Sequence, residues 1–260
     1  MSNVNFHAVI PARMASTRLP EKPLKLIAGV PMVVRVAARA ESSGAQSVVV
    51  ATDDARIVDA CTAHGVKALL TDANHPTGTD RLSEAVTTMG LDDEDIVVNV
   101  QGDEPLIPPE VVREVAELLA ANPDCQMATA AHEIHDMEEF MNPNVVKVVL
   151  DHAGKAITFS RAPIPWARDA FRENMNELPA DLHPLRHIGL YAYRVKFLKQ
   201  FPHWEQAPIE KMESLEQLRA LWYGVKIAVK VLLGALPAGV DTQEDLERAC
   251  AAYEQALSAQ

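Results

Sequence analysis

The sequence alternates short apolar, β-branched runs with longer amphipathic stretches, and this alternation restricts the fold more than any other feature of the chain. In the first half the apolar runs are AVI, SVVVAT, KALLT and DIVVNVQ, at positions 8–10, 47–52, 67–71 and 95–101. Runs of this length and composition are typical of strands buried on both faces. The sequence therefore predicts four parallel strands in this half.

The stretches between these runs have the features of helices. Each ends in a glycine, Gly44, Gly65 or Gly90, at the position of a helix C-cap. A β-α-β-α order of this kind predicts a Rossmann-like α/β fold, with a mainly parallel sheet flanked by helices.

The rhythm changes after about residue 125. VVKVVLD, AITFSR and RHIGLYAYR have the composition of strands with little helix between them, and a polar, proline-bearing segment, 162–184, precedes the third. We predict a smaller, more antiparallel region here, followed by one helix in EKMESLEQLRALWYG, a strand in KIAVKVLL and a final helix from Thr242. Because the chain has no internal repeat or long linker, we predict a single domain over 1–260 with a subdomain at roughly 132–205.

An acidic balance limits the partners of the chain. Its 36 acidic residues exceed its 24 basic residues, whereas binding to nucleic acid requires a basic surface, so we expect no nucleic acid partner. No apolar run reaches the roughly 18 residues of a membrane span, and the first residues do not resemble an export signal. We therefore expect no membrane insertion and a cytoplasmic location. The three cysteines are widely spaced, which is typical of buried thiols.

One short loop is basic against this acidic background. Arg13, Arg18, Lys22 and Lys25 follow the first strand, with only Glu21 to offset them. Ligands of open α/β sheets bind beyond the carboxyl ends of strands, and Arg and Lys donors suit phosphate oxygens. The chain contains neither G-x-x-x-x-G-K-[ST] nor a G-x-G-x-x-G after a strand. The loop is therefore either a phosphate-binding loop of another type or a solvated basic loop.

Two aspartates are candidates for a metal site. Asp103, in NVQGDEPLIPPE, follows a buried strand and comes too early to cap a helix that begins near Pro109. In GVDTQEDLE, Thr242 and Asp245 have the spacing of a capping box, which leaves Asp241 free to point elsewhere. Taken alone, Asp241 is better explained as a simple cap. Paired with Asp103, it could hold Mg²⁺ together with waters and substrate phosphates.

Two further motifs carry weaker signals. TGTDR, at 77–81, places small hydroxyl and glycine groups at a helix start, where a base or phosphate could approach the backbone, although a plain helix start explains it equally well. HEIHD, at 132–136, lacks the H-E-x-x-H spacing of a zinc site. We therefore predict that His132 and His135 are surface residues.

Eight motifs occur in one order along the chain: IPARMASTRLPEKPL, TGTDRL, NVQGDEP, NPNVVKVVLD, FSRAPIPW, RHIGLYAYR, LEQLRALWYG and GVDTQEDLE. Together they resemble the 3-deoxy-manno-octulosonate (Kdo) cytidylyltransferases, or CMP-Kdo synthetases, from about residue 6 to residue 248. The resemblance implies a nucleotide-diphospho-sugar transferase fold and a homodimer built through the smaller region. It also implies the conversion of CTP and Kdo to CMP-Kdo and pyrophosphate for lipopolysaccharide synthesis.

The same resemblance implies roles for individual residues. The triphosphate is assigned to Arg13, Arg18 and Lys22, and the cytidine to Gly78, Thr79 and Gln101. Mg²⁺ is assigned to Asp103 and Asp241, which with Lys22 form the catalytic set. The sugar is assigned to Arg161, His187, Tyr191 and Glu210, although Tyr191 alone has the pattern of a core strand aromatic.

Three alternatives stay open on the sequence. The acceptor could be another acidic sugar, either 8-amino-Kdo or sialic acid, or the chain could be a CTP-binding regulator without catalysis. One departure from the family pattern is Glu21, which stands where a small residue such as Gly is common. A negative charge beside Lys22 could weaken triphosphate binding, unless the Glu21 side chain turns to solvent.

Overall fold

The structure is a computed structural model that describes residues 4–15 and 18–258, so Ser16 and Thr17 of the basic loop lie outside the described residues. Within these ranges the strands are β1 (His7–Ala12), β2 (Leu26–Ile27), β3 (Val30–Pro31), β4 (Ser47–Thr52), β5 (Ala68–Leu70), β6 (Ile96–Asn99), β7 (Met127–Glu133), β8 (Lys147–Leu150), β9 (Ala156–Ser160), β10 (Leu185–Arg194) and β11 (Ile227–Leu232). The α-helices are α1 (Met32–Ser42), α2 (Ala55–Ala63), α3 (Gly78–Thr88), α4 (Pro109–Ala121), α5 (Met137–Met141), α6 (Arg168–Glu173), α7 (Val195–Gln200), α8 (Pro208–Glu213), α9 (Gln217–Trp222) and α10 (Gln243–Ser258).

Contacts divide the chain into two compact units. The first comprises Met1–Glu117, Ala192–Pro202 and Leu236–Gln260, and the second comprises Leu118–Tyr191 and His203–Ala235. Helix α4 and strand β10 contribute residues to both units. The description of the chain as a single domain with a subdomain at roughly 132–205 stays a prediction.

The four strands predicted in the first half are confirmed as β1, β4, β5 and β6. They lie in the order β6-β1-β4-β5, and each neighbouring pair is parallel. In this sheet Val9 of β1 is paired with Val49 on one side and Asn99 on the other. Strands β4 and β6 are almost wholly buried, as their continuous apolar runs predict.

Local sequence signals set the limits of the helices in the first unit. Gly44, Gly65 and Gly90 follow α1, α2 and α3 with φ of 80°, 75° and 68°, which is the left-handed conformation of a helix C-cap. Helix α3 begins with a capping box, in which Thr77 accepts from the Asp80 backbone and Asp80 accepts from the Thr77 backbone. The helices predicted in this half are therefore confirmed.

A small apolar cluster holds the basic loop in place. Leu19 of the loop and Ile27, which follows the loop in β2, pack with Val240, which precedes α10, and with Leu246 of α10. All four side chains are at most 7% exposed, and each buried aliphatic side chain contributes about 1.5–3 kcal/mol. The cluster therefore fixes the loop beside the start of the last helix.

The second unit combines parallel and antiparallel pairs. The predicted strands VVKVVLD, AITFSR and RHIGLYAYR are confirmed as β8, β9 and β10, and β8 pairs antiparallel with both of the others. The predicted strand KIAVKVLL is β11, which pairs in parallel with β7. Sequence reasoning missed β7 because its segment, MATAAHE, is rich in alanine and poor in β-branched residues.

The prediction of one helix across EKMESLEQLRALWYG is wrong, because the structure has α8 and α9 instead. Ser214 separates them with φ 51°, a left-handed conformation that ends α8. The turn allows Leu215 and Leu218 to be buried, at 6% and 2% exposure. Tertiary burial therefore overrides the continuous helical pattern of the sequence.

The prediction for the two histidines of HEIHD is half right. The His135 side chain is 76% exposed, as expected. His132 is only 6% exposed, because it lies in β7, where nearly every side chain is buried. The expectation that His132 is a surface residue is therefore wrong.

Cys61 and Cys125 are buried and Cys250 is half-buried, and none of the three forms a disulfide. Burial raises the pKa of the Cys61 thiol to about 11, so this thiol is unreactive at neutral pH.

Among the described helices, none combines the length and the apolar character that crossing a membrane requires.

Candidate active site

A pocket of about 330 Å³ lies in the first unit, at the carboxyl ends of β1 and β6. Strand β1 lies between β4, the next strand of this sheet along the chain, and β6, which comes later in the sequence. The order of the strands therefore reverses direction at β1, and open α/β sheets bind ligands at such a switch point. Six of the residues predicted from the sequence line it together: Arg13, Arg18, Lys22, Gln101, Asp103 and Asp241.

Lys22 bridges the two aspartates of the pocket. Its Nζ donates to Asp103 Oδ2 at 2.7 Å and to Asp241 Oδ1 at 2.9 Å. Arg18 Nη2 donates to the other oxygen of Asp241 at 2.9 Å. Burial disfavours the charged form of Lys22, but Asp103 and Asp241 outweigh it, so the pKa of Lys22 is raised. Lys22 is therefore a cation at neutral pH.

Asp241 does not cap the last helix, as the sequence predicts. Thr242 and Asp245 form the capping box of α10, with Asp245 N donating to Thr242 Oγ1 at 3.2 Å and Thr242 N donating to Asp245 Oδ2 at 2.8 Å. The carboxylate of Asp241 is consequently directed to Lys22 and Arg18 instead of capping the helix.

Backbone contacts bring the two aspartate segments together. Val240 N donates to the carbonyl oxygen of Asp103 at 2.8 Å. A Cβ on Gly239 would lie 3.3 Å from the same carbonyl oxygen, and a Cβ on Gly102 would lie 2.8 Å from the carbonyl oxygen of Pro11. Glycine at these positions therefore permits a close approach of three chain segments beside the pocket.

Glu21 turns away from the pocket. Its φ of 56° is left-handed, which explains why a glycine suits this position, and its Oε1 accepts from Arg56 Nη1 at 3.0 Å. Arg56 also donates to both oxygens of Asp54. The charge of Glu21 is thus offset by Arg56, and not by Lys22.

For CTP, the substrate that the sequence resemblance implies, we expect Glu21→Gly to change the KM by less than about twofold, because an exposed charge that is already paired acts weakly at a distance. Stability should change by less than about 1 kcal/mol, since relief of the left-handed conformation offsets loss of the exposed ion pair. Steady-state kinetics and urea unfolding would check both values. A KM lowered tenfold or more would show that Glu21 does weaken triphosphate binding.

The donor chemistry of the pocket suits a hard divalent cation. Two carboxylates converge on one cationic group, the ammonium of Lys22. In the part of the chain that the structure describes, no group of three or more His, Cys, Asp or Glu side chains could hold a metal alone. Asp103 and Asp241 therefore fit Mg²⁺ only if phosphate and water oxygens complete its coordination, which is how proteins commonly bind this ion.

The remaining nucleotide predictions lie at the start of α3. A Cβ on Gly78 would lie 4.0 Å from Pro11 Cγ, so this helix start is next to the end of β1. Thr79 is 4% exposed. Their contact with cytidine stays a prediction.

Sequence reasoning missed a buried ion pair behind this helix start. Arg81 is 1% exposed, donates to Asp53 Oδ2 at 2.9 Å, and also bonds the hydroxyl of Thr71. It thereby joins α3 to the segments that follow β4 and β5. The signal was present in the sequence, because Asp53 follows the run SVVVAT as Asp103 follows DIVVNVQG.

The four predicted sugar ligands belong to the second unit. The backbone carbonyls of Glu213 and Pro143 hold the Arg161 side chain, with bonds of 2.6 Å from Nε and 3.0 Å from Nη1. Buried Lys147 donates to the carbonyl of Arg161 at 2.8 Å. Arg161 is therefore fixed by backbone acceptors on its own unit.

Glu210 forms a buried ion pair. Its two oxygens accept from Arg219 Nη2 at 2.6 Å and Nε at 2.9 Å, and each side chain is 6% exposed. It also accepts from the backbone of Ala207 at 3.1 Å. Glu210 thus has a structural role here, and its role in sugar binding stays a prediction, as it does for Arg161, His187 and Tyr191.

His187 packs against two aromatic rings and is partly buried. Its ring centroid lies 5.0 Å from that of Phe159 and 5.3 Å from that of Tyr191, and its Nε2 lies 3.1 Å from the hydroxyl of Thr129. Burial lowers the pKa of His187 to about 3. The imidazole is consequently neutral at physiological pH.

The low pKa of His187 predicts acid sensitivity. Between pH 6.5 and about 3 the unfolded chain binds a proton at His187 that the folded chain does not, so stability is retained above pH 6.5 and lost as the pH falls. The contribution is at most about 1.4 kcal/mol per pH unit. Urea unfolding at several pH values should show a shallower pH dependence in His187→Gln. Exposed His203→Gln is the matched control, and equal slopes in both variants would contradict the assignment.

A cationic loop beside paired aspartates at the carboxyl edge of a parallel sheet suits an enzyme that acts on nucleotide phosphates, such as a nucleotidyltransferase. The family model described as cytidylyltransferase matches residues 7–227. The chain therefore belongs to the cytidylyltransferase family.

One solved structure agrees with this assignment, and two others share the fold. One is described as the structure of CMP:2-keto-3-deoxy-manno-octonic acid synthetase complexed with CTP; it is 38% identical, covers 96% of this chain and 99% of its own, and has a TM-score of 0.87. A cytidylyltransferase from Leptospira borgpetersenii (18% identity, 97% and 88% coverage, TM-score 0.62) and HddC from Yersinia pseudotuberculosis (16%, 95% and 99%, 0.64) share the fold.

Proposed function

We propose that this protein transfers the cytidylyl group of CTP to Kdo, giving CMP-Kdo and pyrophosphate. The observation that carries the proposal is the 38% identity to a CMP-Kdo synthetase over 96% of this chain. The pocket supports the proposal because Arg13, Arg18 and Lys22 supply the cationic donors that a triphosphate needs. Asp103 and Asp241 supply carboxylates for the metal ion that would accompany it.

In the proposed reaction, the anomeric hydroxyl oxygen of Kdo attacks the α-phosphorus of CTP in line. A P–O bond to the sugar forms, the P–O bond to pyrophosphate breaks, and the hydroxyl proton is released. Arg13, Arg18 and Lys22 would bind the phosphate oxygens and offset the charge that develops on the leaving pyrophosphate. Positioning and charge neutralisation would supply most of the rate.

Mg²⁺ is the proposed cofactor, with Asp103 and Asp241 as its protein ligands. Bound there, it would polarise phosphate oxygens and lower the pKa of the sugar hydroxyl. For the sugar, Arg161, His187, Tyr191 and Glu210 remain the proposed contacts. Synthesis of CMP-Kdo for lipopolysaccharide in the cytoplasm belongs to the same proposal.

A homodimer is also proposed. The second unit exposes several large apolar side chains, as expected of an interface: Ile157 at 59%, Met212 at 87%, Trp222 at 60% and Leu233 at 110%. Sedimentation or light scattering would measure the oligomeric state, and a monomer at micromolar concentration would contradict this part of the proposal.

Pyrophosphate release tests the reaction. The purified protein would be supplied with CTP and Mg²⁺, with Kdo, 8-amino-Kdo or sialic acid as the acceptor, and with a control that lacks sugar. We expect rapid release with Kdo and little without sugar. Omission of Mg²⁺ should abolish release.

Each other outcome supports a different function for the protein. Release with 8-amino-Kdo or sialic acid alone would keep the chemistry and change the acceptor. Binding of CTP without release for any sugar would support a non-catalytic regulator and overturn the proposed function.

A further inference from the structure

We propose that Lys22 couples metal binding to nucleotide binding. Without nucleotide, its ammonium occupies the oxygens of Asp103 and Asp241 that a divalent cation would bind. When a triphosphate binds, the lysine moves to the phosphate oxygens and leaves the two carboxylates available to the cation. The inference rests on the proposed function, because it uses the nucleotide as the ligand that releases Lys22. It adds a step that precedes the chemistry.

The geometry shows direct competition for the same oxygens. Lys22 Nζ lies within hydrogen-bonding distance of one oxygen from each carboxylate, at 2.7 Å from Asp103 and 2.9 Å from Asp241. The Lys22 side chain is only 16% exposed, whereas the two carboxylates are 33% and 43% exposed. A cation that used both carboxylates would face the lysine charge at close range, and that repulsion is strong in a partly buried site.

The pair of carboxylates does not depend on Lys22 for its position. The Asp103 carbonyl accepts from Val240 N at 2.8 Å, and Val240 directly precedes Asp241. The apolar cluster of Leu19, Ile27, Val240 and Leu246 adds a second restraint. Loss of the lysine charge should therefore leave two preformed carboxylates and strengthen metal binding.

A nucleotide triphosphate supplies what the lysine requires in exchange. Lys22 has a flexible stem and three donors, so its ammonium can move from carboxylate to phosphate oxygens and stay paired. The phosphates also bring oxygen ligands for the metal. Each ligand thus favours binding of the other, which is positive coupling between the two sites.

Binding of Mn²⁺, measured from the electron paramagnetic resonance of the free ion, tests the coupling without any reaction. The proteins are the unmodified chain, Lys22→Met, Lys22→Arg and Lys25→Met, in the absence of nucleotide. Lys25→Met is the matched control, because it removes the same charge from the same loop. No described hydrogen bond or ion pair joins Lys25 to either carboxylate.

We expect Lys22→Met to bind Mn²⁺ roughly tenfold or more tightly than the unmodified chain, and Lys25→Met to differ by less than about threefold. Lys22→Arg keeps the charge and should bind Mn²⁺ weakly. Addition of CTP should increase Mn²⁺ affinity much less in Lys22→Met than in the unmodified chain. Should repulsion between the carboxylates destabilise Lys22→Met, Mn²⁺ alone should raise its Tm more than that of Lys25→Met.

Equal Mn²⁺ affinity in Lys22→Met and Lys25→Met would overturn the inference, and so would weaker binding in Lys22→Met. These results are independent of the proposed function. If the unmodified chain releases pyrophosphate but Lys22→Met binds Mn²⁺ no more tightly than the unmodified chain does, only the proposed coupling is overturned. A protein that releases none with any sugar would lose the proposed function, and the nucleotide-free comparison would still be informative.

Discussion

Asp103→Asn is expected to lower kcat for pyrophosphate release by roughly 100- to 1,000-fold, while the Kd for CTP changes by less than about tenfold. Asparagine keeps the size of the side chain but removes the charge that holds Lys22 and that would hold Mg²⁺. CTP would still meet Arg13, Arg18 and Lys22, so binding should depend on Asp103 much less than turnover does. Single-turnover kinetics and calorimetric titration with CTP would separate the two effects.

Asp93→Asn provides the control for Asp103→Asn. Asp93 is an exposed aspartate of the same unit, and it pairs with Lys199 at 2.9 Å, away from the pocket residues. Its replacement removes the same charge from the protein and should leave kcat within about twofold, because exposed ion pairs contribute little. Near-normal turnover in Asp103→Asn would overturn the metal assignment.

Glu210→Ala is expected to lower the free energy of unfolding by about 3–5 kcal/mol, because it leaves the Arg219 guanidinium buried without its carboxylate partner. The side chains of Glu210 and Arg219 are each only 6% exposed, so solvent cannot readily replace the lost contact. Urea unfolding would measure the loss. Exposed Glu205→Ala, in the same unit, should change stability by less than about 0.5 kcal/mol.

A second variant separates the buried charge from the carboxylate itself. Glu210→Leu combined with Arg219→Leu removes both charges and should be less destabilising than Glu210→Ala alone, since no unpaired charge remains. If Glu210→Ala lost less than about 1 kcal/mol, the ion pair would not have the structural role assigned to it. Such a result would leave Glu210 free to serve mainly as the predicted sugar ligand.

The first unit could be predicted from its sequence because each signal there is local. Each β-branched run forms a buried strand. A glycine ends each of the helices between these strands, as Gly44 does after α1. The same reasoning placed Arg18 and Lys22 in the loop after the first strand, and Asp103 just beyond the end of another strand. It also left Asp241 available, because the neighbouring Thr242 caps α10.

The rest depended on contacts between residues far apart in sequence. From the sequence we predicted Lys22 to be a phosphate ligand. Nothing in the spacing of the residues indicated that Lys22 would pair with Asp103 and Asp241. In the same way, Glu210 became a buried partner of Arg219 because the chain turns at Ser214 between the two helices. Propensity describes neighbours along a chain, whereas burial of charge depends on tertiary packing.

The pairing of Arg18 with Asp241 has a consequence for how the protein is made. These residues are 223 positions apart, and the apolar cluster that fixes the basic loop also draws on Val240 and Leu246. A ribosome-bound chain that has emerged only as far as α9 can already contain the whole β6-β1-β4-β5 sheet, yet it lacks one carboxylate and half of that cluster. Assembly of the pocket therefore waits until the start of α10 has emerged, after these four strands have been synthesised.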